Sequence, residues 1–317
     1  MSNERTNLSA VIYGAYDLCM ELREIPEPQV GEVQINVRAT GICGSDIHYY
    51  KEGGIGPRRL SRDKPMILGH ESAGVITKVG EGVRGLQIGD RVAIEPGRSC
   101  GVCARCREGR YNLCPDMKFS ASLLQGPNDG TLREWVTFSA TLCHKMPESM
   151  TFEEGALMEP LAVAVHSVRR TQVNIGDKVV VMGAGPIGLL VAAVARAQGA
   201  ISITLLDINV SRLNLARTYL APFPLQTIAL TLKPRDSDEE NLDWSQRIVA
   251  GLEGVGEADH VFECTGAETC VQMAVLLARR GGSVVLIGMG AGKQTLPVDV
   301  IGTREVDVKG NFRYANA

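Results

Sequence analysis

Four of the nine cysteines in this 317-residue chain crowd into one short stretch, Cys100-x2-Cys103-x2-Cys106-x7-Cys114. Thiolates at that density suit a tetrahedral zinc ion, and four of them leave it no open position for a substrate. Arg105, Arg107 and Arg110 fall in the gaps and offset part of the negative charge. The pattern reads as a closed, structural zinc site. An iron–sulfur cluster is the other chemistry that four cysteines allow, although the spacing matches neither common cluster run. A disulfide framework would call for an oxidising compartment, and the polar opening MSNERTNLSA lacks the apolar stretch of a secretory signal.

A second set of ligand types is spread more widely. Cys43 sits in Gly41-Ile42-Cys43-Gly44-Ser45-Asp46-Ile47-His48, after a strand, and Gly69-His70-Glu71 follows later. Thiolate, imidazole and carboxylate all bind zinc, and three protein ligands plus one open position form the catalytic arrangement. Taken singly, Cys43 also reads as a small buried hydrophobe and His70 as a hydrogen-bonded core histidine. His70 and Glu71 are neighbours, so on a regular strand they point to opposite faces. Both reach one metal only where the chain bends, which Gly69 makes easier.

The third chemistry-bearing segment is Gly183-Ala184-Gly185-Pro186-Ile187-Gly188. An apolar strand, Lys178–Met182, precedes it, an apolar helix follows, and Asp207 ends the next strand, 19 residues after Gly188. That context is the dinucleotide fingerprint, in which glycines let a pyrophosphate approach the free N–H groups of a helix N-terminus. Asp207 is placed to accept hydrogen bonds from both adenosine ribose hydroxyls. It would repel a 2′-phosphate, and Ile208 and Asn209 bring no cation to offset this, so NAD is favoured over NADP. Arg212 is expected to stack on the adenine.

The elements that must hold these residues divide the chain. Val33, Ile35, Val37 and Ala39 alternate with polar neighbours, the period of a half-buried strand. Short apolar runs at Val75–Val79 and Arg91–Ile94 follow between glycine-rich turns, which predicts a β domain over residues 1–157. From there strand and helix patterns alternate: Phe152–Val168, Lys178–Met182, Gly188–Gln198, Ile201–Leu206, Val210–Arg217, then strands at Val261–Cys264, Ser283–Gly288 and Glu305–Phe312. This is the rhythm of a parallel sheet, predicted over 158–300. Pro222–Trp244 fits no pattern well, and Lys233–Asn241 reads as a solvated loop or helix start. A net charge of −3 without a basic stripe argues against nucleic acid. The longest apolar stretch, Val179–Ala195, is short for a membrane span and is broken by Gly183, Gly185 and Pro186. The expected setting is the cytoplasm.

Together the Gly69-His70-Glu71-x2-Gly74-x5-Gly80-x2-Val83 run, the Cys43 motif, the four-cysteine stretch and the Gly183–Gly188 turn resemble the zinc-containing medium-chain alcohol dehydrogenases, from about Ala10 to the last residue. Cys43–Tyr49, Phe152–Leu161 and Gly310–Tyr314 narrow the resemblance to the polyol branch of sorbitol, xylitol and arabinitol dehydrogenases. The fold implied is a GroES-like catalytic β domain with a Rossmann doubly wound parallel-sheet domain, usually assembled as a homotetramer. Two zinc ions per chain are implied: a catalytic one on Cys43, His70 and Glu71, and a structural one on the four cysteines. Glu159 would bond the zinc-held water or exchange with Glu71. Ser45 and His48 would relay the hydroxyl proton, and Tyr49, Ile55, Phe119, Arg313 and Tyr314 would line the polyol pocket.

The implied reaction takes a secondary alcohol of a polyol to the ketose. Zinc would stabilise the alkoxide as a Lewis acid, and hydride would pass to the nicotinamide. Family members continue beyond Phe312–Ala317 and return to the catalytic domain. The resemblance therefore implies that 301–317 begins that return segment, and that a chain ending here is less stable than a longer relative. A truncated, non-catalytic NAD-binding protein and a zinc-free quinone reductase are the rivals. Neither needs the full set of Cys43, Ser45, His48, His70, Glu71 and Glu159.

Overall fold

The computed structural model describes residues 6–230 and 240–317, which fall into two compact units, Met1–Glu159 and Pro160–Ala317. The expected loop at Lys233–Asn241 lies mostly outside the described residues, as do the first five residues of the polar opening.

The first unit is built on a five-stranded antiparallel sheet, in the order Trp135–Ser139, Glu32–Gly41, Glu71–Val79, Arg91–Ile94, Cys143–Lys145. Alternation makes one face of it apolar, where Val33, Ile35, Ile76, Val92, Ile94, Val136 and Phe138 form a common core. The register of the two central strands sets Gly41 opposite Glu71. That pairing brings the chain just after one strand (Cys43) beside the chain just before the other (His70). A smaller sheet orders Asp17–Arg23, Asn7–Gly14 and Met66–Ile67. Gly44–Glu52 is the helix that follows Cys43, and it ends on Gly53 in the left-handed region, φ +66°.

The second unit carries a six-stranded parallel sheet, in the order Leu225–Ala229, Ser202–Asp207, Lys178–Met182, Ala258–Glu263, Ala278–Leu286, Asp307–Gly310. The central strand Lys178–Met182 is almost continuously apolar, and apolar clusters lie on both faces of the sheet. Numbered along the chain the order is 3-2-1-4-5-6, the doubly wound Rossmann topology, whose switch point lies between Lys178–Met182 and Ala258–Glu263. The Lys178–Met182 strand has the bounds its pattern predicts. The last sheet strand, which the pattern places over Glu305–Phe312, is confined to Asp307–Gly310. Residues 301–317 cluster with this unit.

Three differences from the sequence patterns have physical causes. Phe152–Val168 is two helices, Phe152–Ala156 and Met158–Thr171, the second starting where Pro160 needs no N–H partner. Pro222–Trp244, which showed no period, holds the edge strand Leu225–Ala229, whose burial does not alternate cleanly, and the start of a helix, Asn241–Ala250. The strand read at Ser283–Gly288 runs from Ala278 to Leu286, because its first half carries Arg279, Arg280 and two glycines instead of apolar residues. No helix among the described residues is long and apolar enough to cross a membrane.

Candidate active site

Cys43 is the residue before the first turn of the Gly44–Glu52 helix, with extended backbone. Its N–H donates to the carboxylate of Asp46 at 2.9 Å, and the other Asp46 oxygen accepts the N–H of Gly69 at 3.1 Å. Asp46 is buried, and its carboxylate stands 4.0 Å from His70 Nδ1. One side chain therefore fixes both loops that carry metal-ligand types. At Gly69 the backbone is left-handed, φ +88°, where a side chain would be strained and would collide with Leu132. His70 follows that turn and Glu71 opens the strand. The result gathers Cys43 Sγ, a His70 ring nitrogen and a Glu71 carboxylate oxygen within 4.8 Å of one another.

Gly41 makes the space. A Cβ there would stand 2.2 Å from Oε2 of Glu71, so only glycine leaves room for the carboxylate. Phe119 packs against the His70 ring at 5.4 Å between centroids.

The electrostatics ask for a cation. Burial pushes the Cys43 thiol up to about 12, opposed by hydrogen bonding from the Ser45 hydroxyl and N–H and reinforced by the charges of Glu71 and Glu159. Burial also holds the Glu71 carboxyl above the usual carboxylate range. Glu159, itself buried, begins the Met158–Thr171 helix. Anionic groups collected where each is costly alone fit a divalent ion, and thiolate, imidazole and carboxylate are donors that zinc accepts. Ser45 lies half-buried beside Cys43, and His48, one helical turn on, is exposed. Tyr49 is buried, its hydroxyl accepting the N–H of Leu123 at 3.2 Å, and Ile55 packs on the same apolar cluster.

The four-cysteine loop is a separate centre of the same unit. Its four sulfurs also lie within 4.8 Å of one another, with Cys103 and Cys106 at 3.5 Å. Backbone N–H groups aim inward: that of Cys103 reaches Cys100 Sγ, and that of Cys100 reaches Cys114 Sγ, both at 3.4 Å. N–H groups of Val102 and Cys103 bring the Cys100 thiol down to about 7, whereas burial pushes Cys114 up to about 12. The cage fits a metal held by four thiolates, and among the described residues no other ligand type joins the cluster.

In the second unit, Gly183 turns the chain at φ +98°, and Gly185 precedes the Pro186–Gln198 helix with Pro186 as its first residue. A Cβ on Gly185 would meet nothing within 4 Å, whereas one on Gly188 would stand 1.8 Å from the Gly183 carbonyl. The first glycine leaves open space at the helix N-terminus, and the second lets Ile187 and the rest of the helix pack onto the turn. Asp207 is buried, its two oxygens accepting the N–H groups of Ala184 at 2.6 Å and Asn209 at 2.7 Å. Arg212 is exposed on the next helix. Arg313 has left-handed backbone, φ +51°, with its guanidinium over the Phe312 ring at 4.7 Å, and Tyr314 is buried.

Three residues carry weight in these sites that their sequence context does not announce. They are Gly41, Asp46 and the fully buried Glu263. Glu263 ends the strand across the switch point. Its carboxylate accepts the N–H groups of Thr265 at 2.7 Å and Gly266 at 3.0 Å, and so shapes the turn against Gly183. For Asp46 the only signal is its spacing, since an acid three residues after a capping residue can reach back to it.

Comparison with known proteins agrees with this geometry. Residues 29–148 match the alcohol dehydrogenase GroES-like domain, and residues 186–317 match the zinc-binding dehydrogenase family. The chain is 44% identical over 315 residues to a probable D-xylulose reductase A of Arthroderma otae, covering 99% of this chain and 84% of that protein. It is 44% identical over 310 residues to the sorbitol dehydrogenase of Bos taurus, covering 98% of this chain and 83% of that one. The crystal structure of L-idonate 5-dehydrogenase from Escherichia coli superposes with a TM-score of 0.84 at 28% identity, over 98% of this chain and 84% of that chain. A GroES-like β unit, a Rossmann unit and the ligand types of a zinc enzyme together place the chain: it belongs to the polyol-type zinc-dependent medium-chain dehydrogenases, oxidoreductases that use zinc and a nicotinamide cofactor.

Proposed function

We propose that this protein oxidises a secondary hydroxyl of a polyol of the sorbitol, xylitol or arabinitol type to the ketose, with NAD as acceptor. The observation that carries the reading is the convergence of Cys43, His70 and Glu71 within 4.8 Å, behind a buried carboxylate that ties their loops together. The relatives named for sorbitol and D-xylulose support the substrate class. We assign one zinc to that centre and a second, structural one to Cys100, Cys103, Cys106 and Cys114.

When bound, zinc supplies the Lewis acidity that lets a hydroxyl give up its proton near neutral pH, and NAD accepts the reducing equivalents. The remaining work belongs to side chains. Ser45 takes the hydroxyl proton beside Cys43, and His48, one turn along the same helix, passes it to solvent. Glu159 adds a carboxylate near the sulfur. Tyr49, Ile55 and Phe119 supply apolar wall, and Arg313 and Tyr314 are assigned to the polyol's hydroxyls. Asp207 holds the adenosine ribose and disfavours a 2′-phosphate, Gly183, Gly185, Pro186, Ile187 and Gly188 cradle the pyrophosphate, and Arg212 stacks on adenine. A reducing, cytoplasmic setting keeps the four cysteines available to metal, and a homotetramer is the expected assembly.

The test counts zinc per chain in the wild type and in Cys43→Ala, with sorbitol, xylitol and arabinitol oxidation followed using NAD and NADP in parallel. Two zinc ions falling to one, with turnover only in the wild type and faster with NAD, is the expected result. One zinc in both proteins and no turnover would sink the reading.

A further inference from the structure

We propose that the site prefers polyols ending in an anionic group, a carboxylate or a phosphate, and that Arg58 is the residue that recognises it. This rests on the polyol-dehydrogenase reading above and narrows its substrate class.

The hairpin of Gly54–Ile55 and Arg58–Arg59 closes over two residues, Gly56 at φ +59° and Pro57. Its register pairs Ile55 with Arg58, and directly opposed residues of an antiparallel pair share a face. Ile55 uses that face to pack on the cluster of Tyr49, Leu60, Leu68 and Leu123. Arg58 therefore stands beside the apolar wall assigned to the substrate, and it is exposed. The two strands are pressed together at Gly54, where a Cβ would lie 1.9 Å from the Arg58 carbonyl oxygen. The hairpin also cannot swing freely: the N–H of Leu60 donates to the carbonyl of Gly53 at 2.8 Å, at the end of the helix that Cys43 begins. That nine-residue helix is about 13 Å long.

Arg58 is one of two cations on the stretch around the hairpin, with Lys64, that have neither a carboxylate nor a carbonyl partner among the described residues, and it is the one set opposite Ile55. Between Gly54 and Lys64 the chain carries Arg58, Arg59, Arg62 and Lys64 against Asp63. Arg59 is folded back on the carbonyls of Gly56 and Arg58, and Arg62 is paired with Asp17 at 2.9 Å. Among the described residues Arg58 has no carboxylate partner. A guanidinium offers a planar fork that matches carboxylate and phosphate, whereas a hydroxyl uses only part of it.

The test measures kcat/KM of the zinc-loaded full chain with NAD for a hexitol, its terminal phosphate ester and the corresponding six-carbon sugar acid. Wild type, Arg58→Ala and Arg58→Lys are compared. For at least one anionic substrate the wild-type ratio to the neutral parent should be about ten-fold or more, carried by KM and shrinking with added salt. Arg58→Ala should lower that ratio about ten-fold and Arg58→Lys should restore part of it. The anion whose advantage collapses tells carboxylate from phosphate. A wild-type ratio near one, or a ratio that Arg58→Ala leaves in place, overturns the proposal while neutral-polyol turnover leaves the underlying reading standing. No turnover of any polyol by zinc-loaded protein removes both.

Discussion

The four-cysteine loop and the Cys43–His70–Glu71 centre collect their ligands in opposite ways. The loop takes all four sulfurs from Cys100–Cys114, positioned by a four-residue helix, a short 3-10 turn and N–H groups that point at sulfur. The other centre draws on two distant segments that meet because Gly41 pairs with Glu71 across the sheet and Asp46 bonds both loops. A metal in a local cage would serve the loop's own shape, since little apolar core lies beneath it. An assembled centre inherits its geometry from the whole sheet, and so can leave a coordination position free for chemistry. Substitutions in the two places should therefore fail differently.

Breaking the cage should produce the larger loss of stability. Cys103→Ser removes one of the four sulfurs, at the residue just before the short helix. Structural zinc contributes folding free energy directly, so the variant should lose several kcal/mol and on the order of 10 °C in Tm. Its zinc content should fall by one while the Cys43 centre keeps its own ion. Differential scanning calorimetry beside elemental analysis checks this. A loss of both ions would show that the two centres are not independent.

Gly41→Ala probes the assembled centre at a position that contributes no ligand. The new methyl must displace the Glu71 carboxylate, because the space between them is only 2.2 Å. Disturbing the support of a metal ligand costs about 10–100-fold in metal affinity or activity. We expect kcat/KM to fall by that factor, zinc to be stripped from this centre at lower chelator concentration, and Tm to move little. A Tm loss as large as that of Cys103→Ser would mean that Gly41 is needed for the sheet and not for the carboxylate.

The same contrast explains what could be read from the amino-acid order. The cysteine cage and the Gly183–Gly188 turn are contiguous, so spacing alone proposes their chemistry, and the flanking strands came from simple periodicity. Cys43, His70 and Glu71 each have an ordinary structural reading when taken alone, and only their resemblance to a family pattern joined them. What spacing does not carry is register. Nothing local says that residue 41 faces residue 71, that Asp46 reaches both loops, or that Glu263 folds a turn against Gly183. Leu225–Ala229 was missed for a related reason, because an edge strand is not obliged to alternate.

The smallest expected effect lies where the cage joins the sheet. Glu95 follows the Arg91–Ile94 strand, accepts the Tyr111 hydroxyl at 2.9 Å just before Cys114, and faces His144 Nε2 at 3.2 Å. The hydrogen bond that its imidazole donates to the Glu95 carboxylate holds His144 above its ordinary value, with burial acting against it. A raised folded-state value means that the pair's stabilisation is fully present below the unfolded value of about 6.5 and is lost as pH rises through the folded one. The His144 side chain is 61% exposed, so solvent screening limits the contribution to a few tenths of a kcal/mol. His144→Gln should lower Tm by roughly 1 °C near pH 5.5 and leave it unchanged near pH 8.5. A deficit of equal size at both pH values would mean that His144 acts through packing, and that the cage is joined to the sheet through Tyr111 and Glu95 without help from charge.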